Sequence, residues 1–195
     1  WLTPEPDVLE RLAELGTRGA RRALDLGCGL GRHALACAEA GLETVALDAS
    51  ASGLTHLRAE AARRGRRIAC IEGRMTALPF ADASFDYLLS WNVVYHGDGE
   101  IVAQVIAEIA RVLEPGGIFQ GTLLSKRSSR FGRGREIAPD TFVDPEGDGD
   151  KAHPHFFCDA AGLLALFAGF EAWSLRDVDQ KGSADYHWHF VAERR

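Results

Sequence analysis

The sequence predicts an α/β domain built on a mainly parallel sheet, and three observations carry that reading. Strand-like and helix-like segments alternate through the first two thirds of the chain, a glycine-rich turn joins the first strand to its helix, and Asp48 ends the second strand. With 195 residues, the chain suits one domain around one core and is too short for two domains and a linker.

Each element has a local reason. Residues 23–26 read as a buried strand, followed by the glycine turn and a helix to Ala40 that Gly41 stops. Residues 44–47 form a second strand; Ser50 or Ser52 then caps a helix carrying Leu54, Leu57, Ala61 and Ala62, which Gly65 ends. Residues 68–71 and 85–90 are the next two strands, the latter entered from the turn-like stretch 79–84. Helical spacing returns at Ile101, Val105, Ile109 and Val112, before Glu114-Pro115-Gly116-Gly117 forces a turn into a strand at 118–123. Residues 125–158 are long for a connection and rich in Gly, Pro, Arg and Asp, which favours a lid or acceptor-side insertion over a linker. Asp159 caps a short helix through Phe167, and strands at 170–175 and 186–192 finish the sheet as an antiparallel pair at one edge.

Composition excludes several classes. Lys and Arg number 22 against 28 Asp and Glu, a net charge of −6, and 46% of residues are hydrophobic. Gross disorder is excluded, and binding to nucleic acid through the overall field is disfavoured, although a local basic patch stays open. Cys28, Cys37, Cys70 and Cys158 form no C-x-x-C pair, so neither a zinc knuckle nor a disulfide framework is indicated and a reducing, cytoplasmic setting is expected. No apolar stretch reaches the roughly 18 residues of a membrane span, and no signal-type segment opens the chain. The first residue is Trp1 rather than Met, so a natural start upstream is expected.

The chemistry concentrates in Leu24-Asp25-Leu26-Gly27-Cys28-Gly29-Leu30-Gly31. Its spacing is G-x-G-x-G preceded by Asp25, not the G-x-G-x-x-G of dinucleotide sites, because position 32 is arginine. A pyrophosphate favours an uncluttered helix N-terminus, whereas an acid two places before the first glycine suits a ligand carrying an ammonium group. Asp48 stands where a carboxylate accepts from both hydroxyls of an adenosine ribose.

With these residues, the chain resembles the class I S-adenosylmethionine-dependent methyltransferases over nearly its whole length. The matching stretches are Asp25 to Gly31, Asp48, the run from Glu72 to Phe80, Phe85-Asp86-Tyr87, and Arg111-Val112-Leu113-Glu114-Pro115-Gly116-Gly117. The resemblance is of the methyltransferase type 11 kind, to an uncharacterised bacterial branch near the tellurite-resistance and ubiquinone-pathway methyltransferases. It implies a Rossmann-like, seven-stranded, mostly parallel sheet with helices on both faces and the last strand antiparallel. It also implies S-adenosylmethionine as cofactor, S-adenosylhomocysteine as product, and a donor site across the carboxyl ends of the first four strands.

Carried over by position, Gly27, Cys28, Gly29 and Gly31 would pass beneath the methionine part of the donor, with Asp25 near its amino group. Asp48 would hold the ribose, Ala49 would pack beside the adenine and Met75 would cover it. Many relatives have an acid where Arg74 stands; Arg74 cannot accept from the adenine amino group. Asn92 occupies the position that contacts the donor and faces the acceptor.

On the acceptor side, the sequence offers Tyr95 and His96 as catalytic candidates and His153, His155 and His187 as acceptor-binding candidates. Alternation puts His187 and His189 on one face of the last strand. The plainer reading of these imidazoles is that they are satisfied groups joining the insertion to the sheet. Metal binding is disfavoured, since Cys158 alone offers a further ligand at suitable spacing. Lys126, Arg127, Arg130, Arg133 and Arg135 read either as a solvated loop or as a lid over an anionic acceptor; Asp144, Glu146, Asp148 and Asp150 follow as neutralising or solvated acids. Trp91, Trp173 and Trp188 read as core or sheet-packing residues.

The reading is one methyltransferase domain over residues 1–195, with 125–158 as the acceptor-side insertion. It expects in-line methyl transfer to a small-molecule acceptor, an anionic one suiting the basic stretch, with no nucleic-acid or membrane partner and a monomer or homodimer as the assembly. Two alternatives stay open: a methyltransferase-like binding module with altered catalysis, hinted at by Arg74, and an NAD-dependent oxidoreductase, disfavoured by the glycine spacing.

Overall fold

The computed structural model describes residues 2–144, 153–180 and 182–195. Helix α1 (Pro6–Thr17) precedes β1 (Arg22–Leu26), α2 (Arg32–Glu39), β2 (Glu43–Asp48), α3 (Ala51–Arg63), β3 (Ile68–Glu72), β4 (Phe85–Ser90), α4 (Gly99–Val112) and β5 (Leu113–Ser125). Then come β6 (Arg135–Ala138), β7 (Thr141–Val143), β8 (His155–Cys158), α5 (Ala160–Leu166), β9 (Phe170–Asp179) and β10 (Tyr186–Arg194).

Strands β3-β2-β1-β4-β5 run parallel, and β10 lies antiparallel between β5 and β9. These seven strands are the expected frame. Side chains alternate across it. Leu24, Leu26, Leu88 and Phe119 join Val102, Val105 and Ile109 of α4 and Leu163 of α5 in one core. Ala23, Tyr87, Leu89 and Ile118 pack with Val8, Leu12 and Leu15 of α1 and with Ala36 and Cys37 of α2, while Ala46 meets Leu54 and Leu57 of α3. The period of two along each strand therefore divides the helices between the two faces.

The structure departs from the sequence reading in four places. Helix α1 was not expected, although Val8, Leu12 and Leu15 at i, i+4 and i+7 are all buried and Pro6 sits in its first turn. Strand β5 extends from Leu113 to Ser125, because Leu113 pairs with Phe85 on the near side of the Pro-Gly-Gly turn. The insertion 125–158 is no open loop in its described part: β8 pairs with β5 at Leu124–Phe157 and Ser125–Cys158, and β7 and β6 add to it antiparallel. Trp173 is 42% exposed beneath the Arg18 guanidinium, rather than in a core. Of the acidic run, Glu146, Asp148 and Asp150 lie outside the described residues.

Caps follow expectation. Ser50 accepts the Gly53 N–H and Asp159 the Gly162 N–H.

Candidate active site

The glycine turn is folded back on the end of β2: Gly27 N and Cys28 N both donate to Leu47 O, at 2.7 and 3.2 Å. Gly27 and Gly31 have φ of +72° and +85°, and a Cβ on either would stand 2.4 Å from Val93 or 2.2 Å from Leu57. Only glycine satisfies both demands. At Gly29 a Cβ would meet no protein atom within 4 Å, so the middle of the turn is open.

Two carboxylates brace this turn. Asp48 accepts from Gly29 N and Ser50 N, one on each oxygen and both at 2.7 Å. Asp25, 2% exposed, accepts from Ala34 N at 2.8 Å and so ties β1 to the first turn of α2.

Above the turn lies a cavity of about 420 Å³. Asp25, Gly27, Cys28 and Gly29 form its floor, Arg32 and His33 of α2 one side, and Trp91, Asn92 and Tyr95 after β4 another. Arg130, Gln180, Asp185 and His187 close the far wall. The cavity thus joins the turn after β1, the end of β4 and the β9–β10 connection, at the carboxyl ends where open α/β sheets bind ligands.

Burial sets the charge states. It raises the Asp25 carboxyl to about 7, against the Ala34 hydrogen bond, and Asp48 nearby pushes the same way. Burial lowers His33 to about 3, so this imidazole is neutral; its Nε2 accepts from Glu5 N at 3.3 Å. Burial also lowers His187, against the Asp185 backbone and carboxylate. The Cys28 thiol is pushed far up by burial, which removes it as a nucleophile.

The sequence candidates separate by place. Asp25, Gly27, Cys28, Gly29, Asn92, Tyr95 and His187 come together on the cavity wall. Asp48 adjoins it through Gly29, whereas Gly31 lies beneath as the N-cap of α2. Ala49 and Arg74 are exposed and Met75 is half-buried against the core, all outside the cavity wall. His96 and His155 stack edge to face at 5.0 Å behind Tyr95, and His155 lines a second cavity of about 180 Å³ with Arg130 and Arg133. His153 is exposed.

Of the basic stretch, Lys126 pairs with Asp140 and Arg127 with Asp177, while Arg130 reaches both cavities. Among the described residues, no three His, Cys, Asp or Glu side chains converge as a metal ligand set, and no helix is long and apolar enough to cross a membrane.

Sequence reasoning missed His33, Gln180 and Asp185 as cavity residues. His33 was within reach, two places after the last glycine and on the first turn of a helix that starts at the site. Gln180 and Asp185 carry no local signal; only the pairing of β9 with β10 brings them to the cavity.

Fold and site define a doubly wound α/β domain with a ligand site built on the first β–α turn. A family model described as a methyltransferase domain matches residues 23–117. A probable S-adenosylmethionine-dependent methyltransferase of Mycolicibacterium smegmatis is 30% identical over 139 residues, covering 71% of this chain and 51% of that protein. The cypemycin N-terminal methyltransferase of a Streptomyces species is 40% identical over 166 residues, covering 79% and 66%. Among solved structures, a SAM-dependent methyltransferase of Methanosarcina mazei superposes with a TM-score of 0.79 at 20% identity, over 99% of each chain. The chain belongs to the class I S-adenosylmethionine-dependent methyltransferases. It spans about half the length of the first two curated relatives it matches, 51% and 46%.

The residues present fit the family's donor. Asp25 is a carboxyl whose pKa burial raises to about 7, a cost that a ligand ammonium would offset, and the backbone at Gly29 is open to close approach. Each Asp48 oxygen carries one backbone hydrogen bond and keeps a lone pair for a ribose hydroxyl.

Proposed function

We propose that this chain transfers a methyl group from S-adenosylmethionine to a small-molecule acceptor. The observation that carries the reading is that one cavity of about 420 Å³ has the glycine turn and Asp25 on its floor and Tyr95, Arg130, Asp185 and His187 on its walls. That volume is in the range of small-ligand sites, about 300–1,000 Å³.

When bound, the donor supplies a methyl carried on a positively charged sulfur, open to in-line attack. The protein's part is placement: reacting atoms held about 3 Å apart in alignment, with water excluded. Tyr95 faces the acceptor directly, and His96, stacked on it at 4.8 Å, acts behind it. His187 Nδ1 lies 3.1 Å from Asp185 O; a carbonyl only accepts, so Nδ1 carries the proton and Nε2 keeps a lone pair. That lone pair serves an acceptor that must lose a proton, a hydroxyl or a protonated amine.

Arg130 favours an anionic acceptor. Arg32 on the same wall is paired with Glu5 at 2.9 Å, whereas Arg130 lines both this cavity and the second one. His155 would meet the acceptor from the second cavity, which Arg130 shares; His153 would do so from the rim.

A radiolabelled methyl-transfer screen tests this with phenols, carboxylates, thiols and metalloid oxyanions. An N-terminal amine joins the panel because the 40% identical relative is a cypemycin N-terminal methyltransferase. Turnover of an anionic acceptor that falls in Arg130→Gln supports the reading. Donor binding with no turnover across the panel would favour a binding module instead.

A further inference from the structure

Asn92 follows β4 with φ of +60°, a left-handed conformation that Asn tolerates better than most residues but that still needs support. The support is a half-buried polar chain. Asn92 N donates to Thr122 Oγ1 at 2.8 Å, and the same hydroxyl donates back to Asn92 Oδ1 at 2.9 Å. Gln180 Nε2 donates to Asn92 Oδ1 at 3.3 Å, and Asn92 Nδ2 to Gln180 Oε1 at 3.4 Å. Gln180 Nε2 also lies 3.2 Å from His189 Nε2, and His189 Nδ1 lies 3.3 Å from Asp7 Oδ2. Thr122 and His189 face each other directly across β5 and β10.

The directions of these bonds follow from one end. A carboxylate only accepts, so His189 Nδ1 carries its proton and Nε2 presents a lone pair. Gln180 must then turn its NH₂ toward His189 and its Oε1 toward Asn92 Nδ2. That leaves Asn92 Oδ1 for the Thr122 hydroxyl and one Nδ2 proton for the cavity that Asn92 lines. Asp7 is itself fixed: Gln120 Nε2 donates to its backbone carbonyl at 3.1 Å and Arg176 pairs with its carboxylate.

We infer that Thr122, Gln180 and the His189–Asp7 pair are positioning residues that lock the Asn92 amide in one orientation, with an N–H offered to the ligand in the cavity. The inference rests on reading this cavity as the donor site. It gives helix α1 a part in the site through Asp7, although Asp7 is remote from Asn92 in sequence.

Calorimetry with S-adenosylhomocysteine tests it on the whole chain. Thr122→Val, close in shape, is expected to weaken binding by about 10-fold, the equivalent of one lost hydrogen bond. Thr122→Ser, which keeps the hydroxyl, should bind like the parent, and Asn92→Ala combined with Thr122→Val should bind no more weakly than Asn92→Ala alone. Equal weakening by Val and Ser with a parallel fall in Tm would overturn the inference in favour of a structural role, as would parental affinity in Thr122→Val. Long-range ¹H–¹⁵N NMR reads the His189 tautomer without any ligand: a proton on Nδ1 supports the chain of bonds, and a proton on Nε2 breaks it. If the parent fails to bind S-adenosylhomocysteine, the donor reading falls, while the NMR result still decides the orientation of the chain.

Discussion

Asp48 Oδ2 accepts the Gly29 N–H at 2.7 Å, so the end of the second strand holds the middle of the turn that follows the first. One carboxylate thereby shapes the glycine turn and presents its remaining lone pairs at the mouth of the site. Replacing it should damage binding more than folding. Asp48→Ala is expected to cost about 1–3 kcal/mol of S-adenosylhomocysteine affinity, the range for leaving polar groups unpaired. Calorimetry checks this, and unchanged affinity would mean the ribose site lies elsewhere.

The glycines of the turn should separate by position. Gly27→Ala must displace Val93 as well as adopt a positive φ, so it should destabilise the fold by about 2–4 kcal/mol, overpacking and left-handed strain together. Gly29→Ala meets no neighbour and should cost only the strain of about 1–2 kcal/mol. Urea denaturation compares them, and equal losses would show that crowding against Val93 is not what demands Gly27.

Asp25 predicts a pH dependence with a definite sign. Its folded pKa is raised from 3.8 to about 7 by burial, so the unfolded chain ionises this carboxyl while the folded chain keeps its proton. Its contribution to stability is whole below pH 4 and lost as the pH climbs to 7; Asp25→Asn should remove that slope. A ligand ammonium would pull the same pKa down, so S-adenosylhomocysteine binding at pH 6 should release a proton. The binding enthalpy would then depend on the buffer in the parent and not in Asp25→Asn. A parent with no buffer dependence would put the ammonium elsewhere.

Thiol labelling should follow burial. Burial raises the pKa of all four thiols, but Cys28, Cys37 and Cys158 are buried while Cys70 is only half-buried. Native protein treated with a maleimide at pH 7.5 should label first at Cys70 by mass spectrometry. Early labelling of Cys28 would show that its sulfur is reached through the cavity it lines, and would contradict an order set by burial.

The frame was legible because its signals are local. Gly41 and Gly65 as helix stops, Ser50 and Asp159 as caps, and the alternation of strands with helices each act within a few residues. The turn side of the cavity was legible for the same reason: Asp25, the three glycines and Asp48 sit at strand ends that the pattern defines, although Ala49, Arg74 and Met75 fall outside the cavity wall. The opposite wall was not. His96, His155 and His187 look alike in sequence, yet only His187 reaches the main cavity, because β8 pairs behind Tyr95 and holds His155 there. Gln180 and Asp185 depend on how β9 and β10 pair, and Arg130 stands out from its basic neighbours only once Lys126 and Arg127 are seen to be paired.

The glycine turn and Asp48 together form the proposed donor site, and one titration tests that most directly. Calorimetry of the whole chain with S-adenosylhomocysteine and, separately, with NAD should give saturable one-to-one binding of the first, weakened in Asp48→Ala, and none of the second. Binding of NAD without binding of the sulfur nucleoside would contradict it.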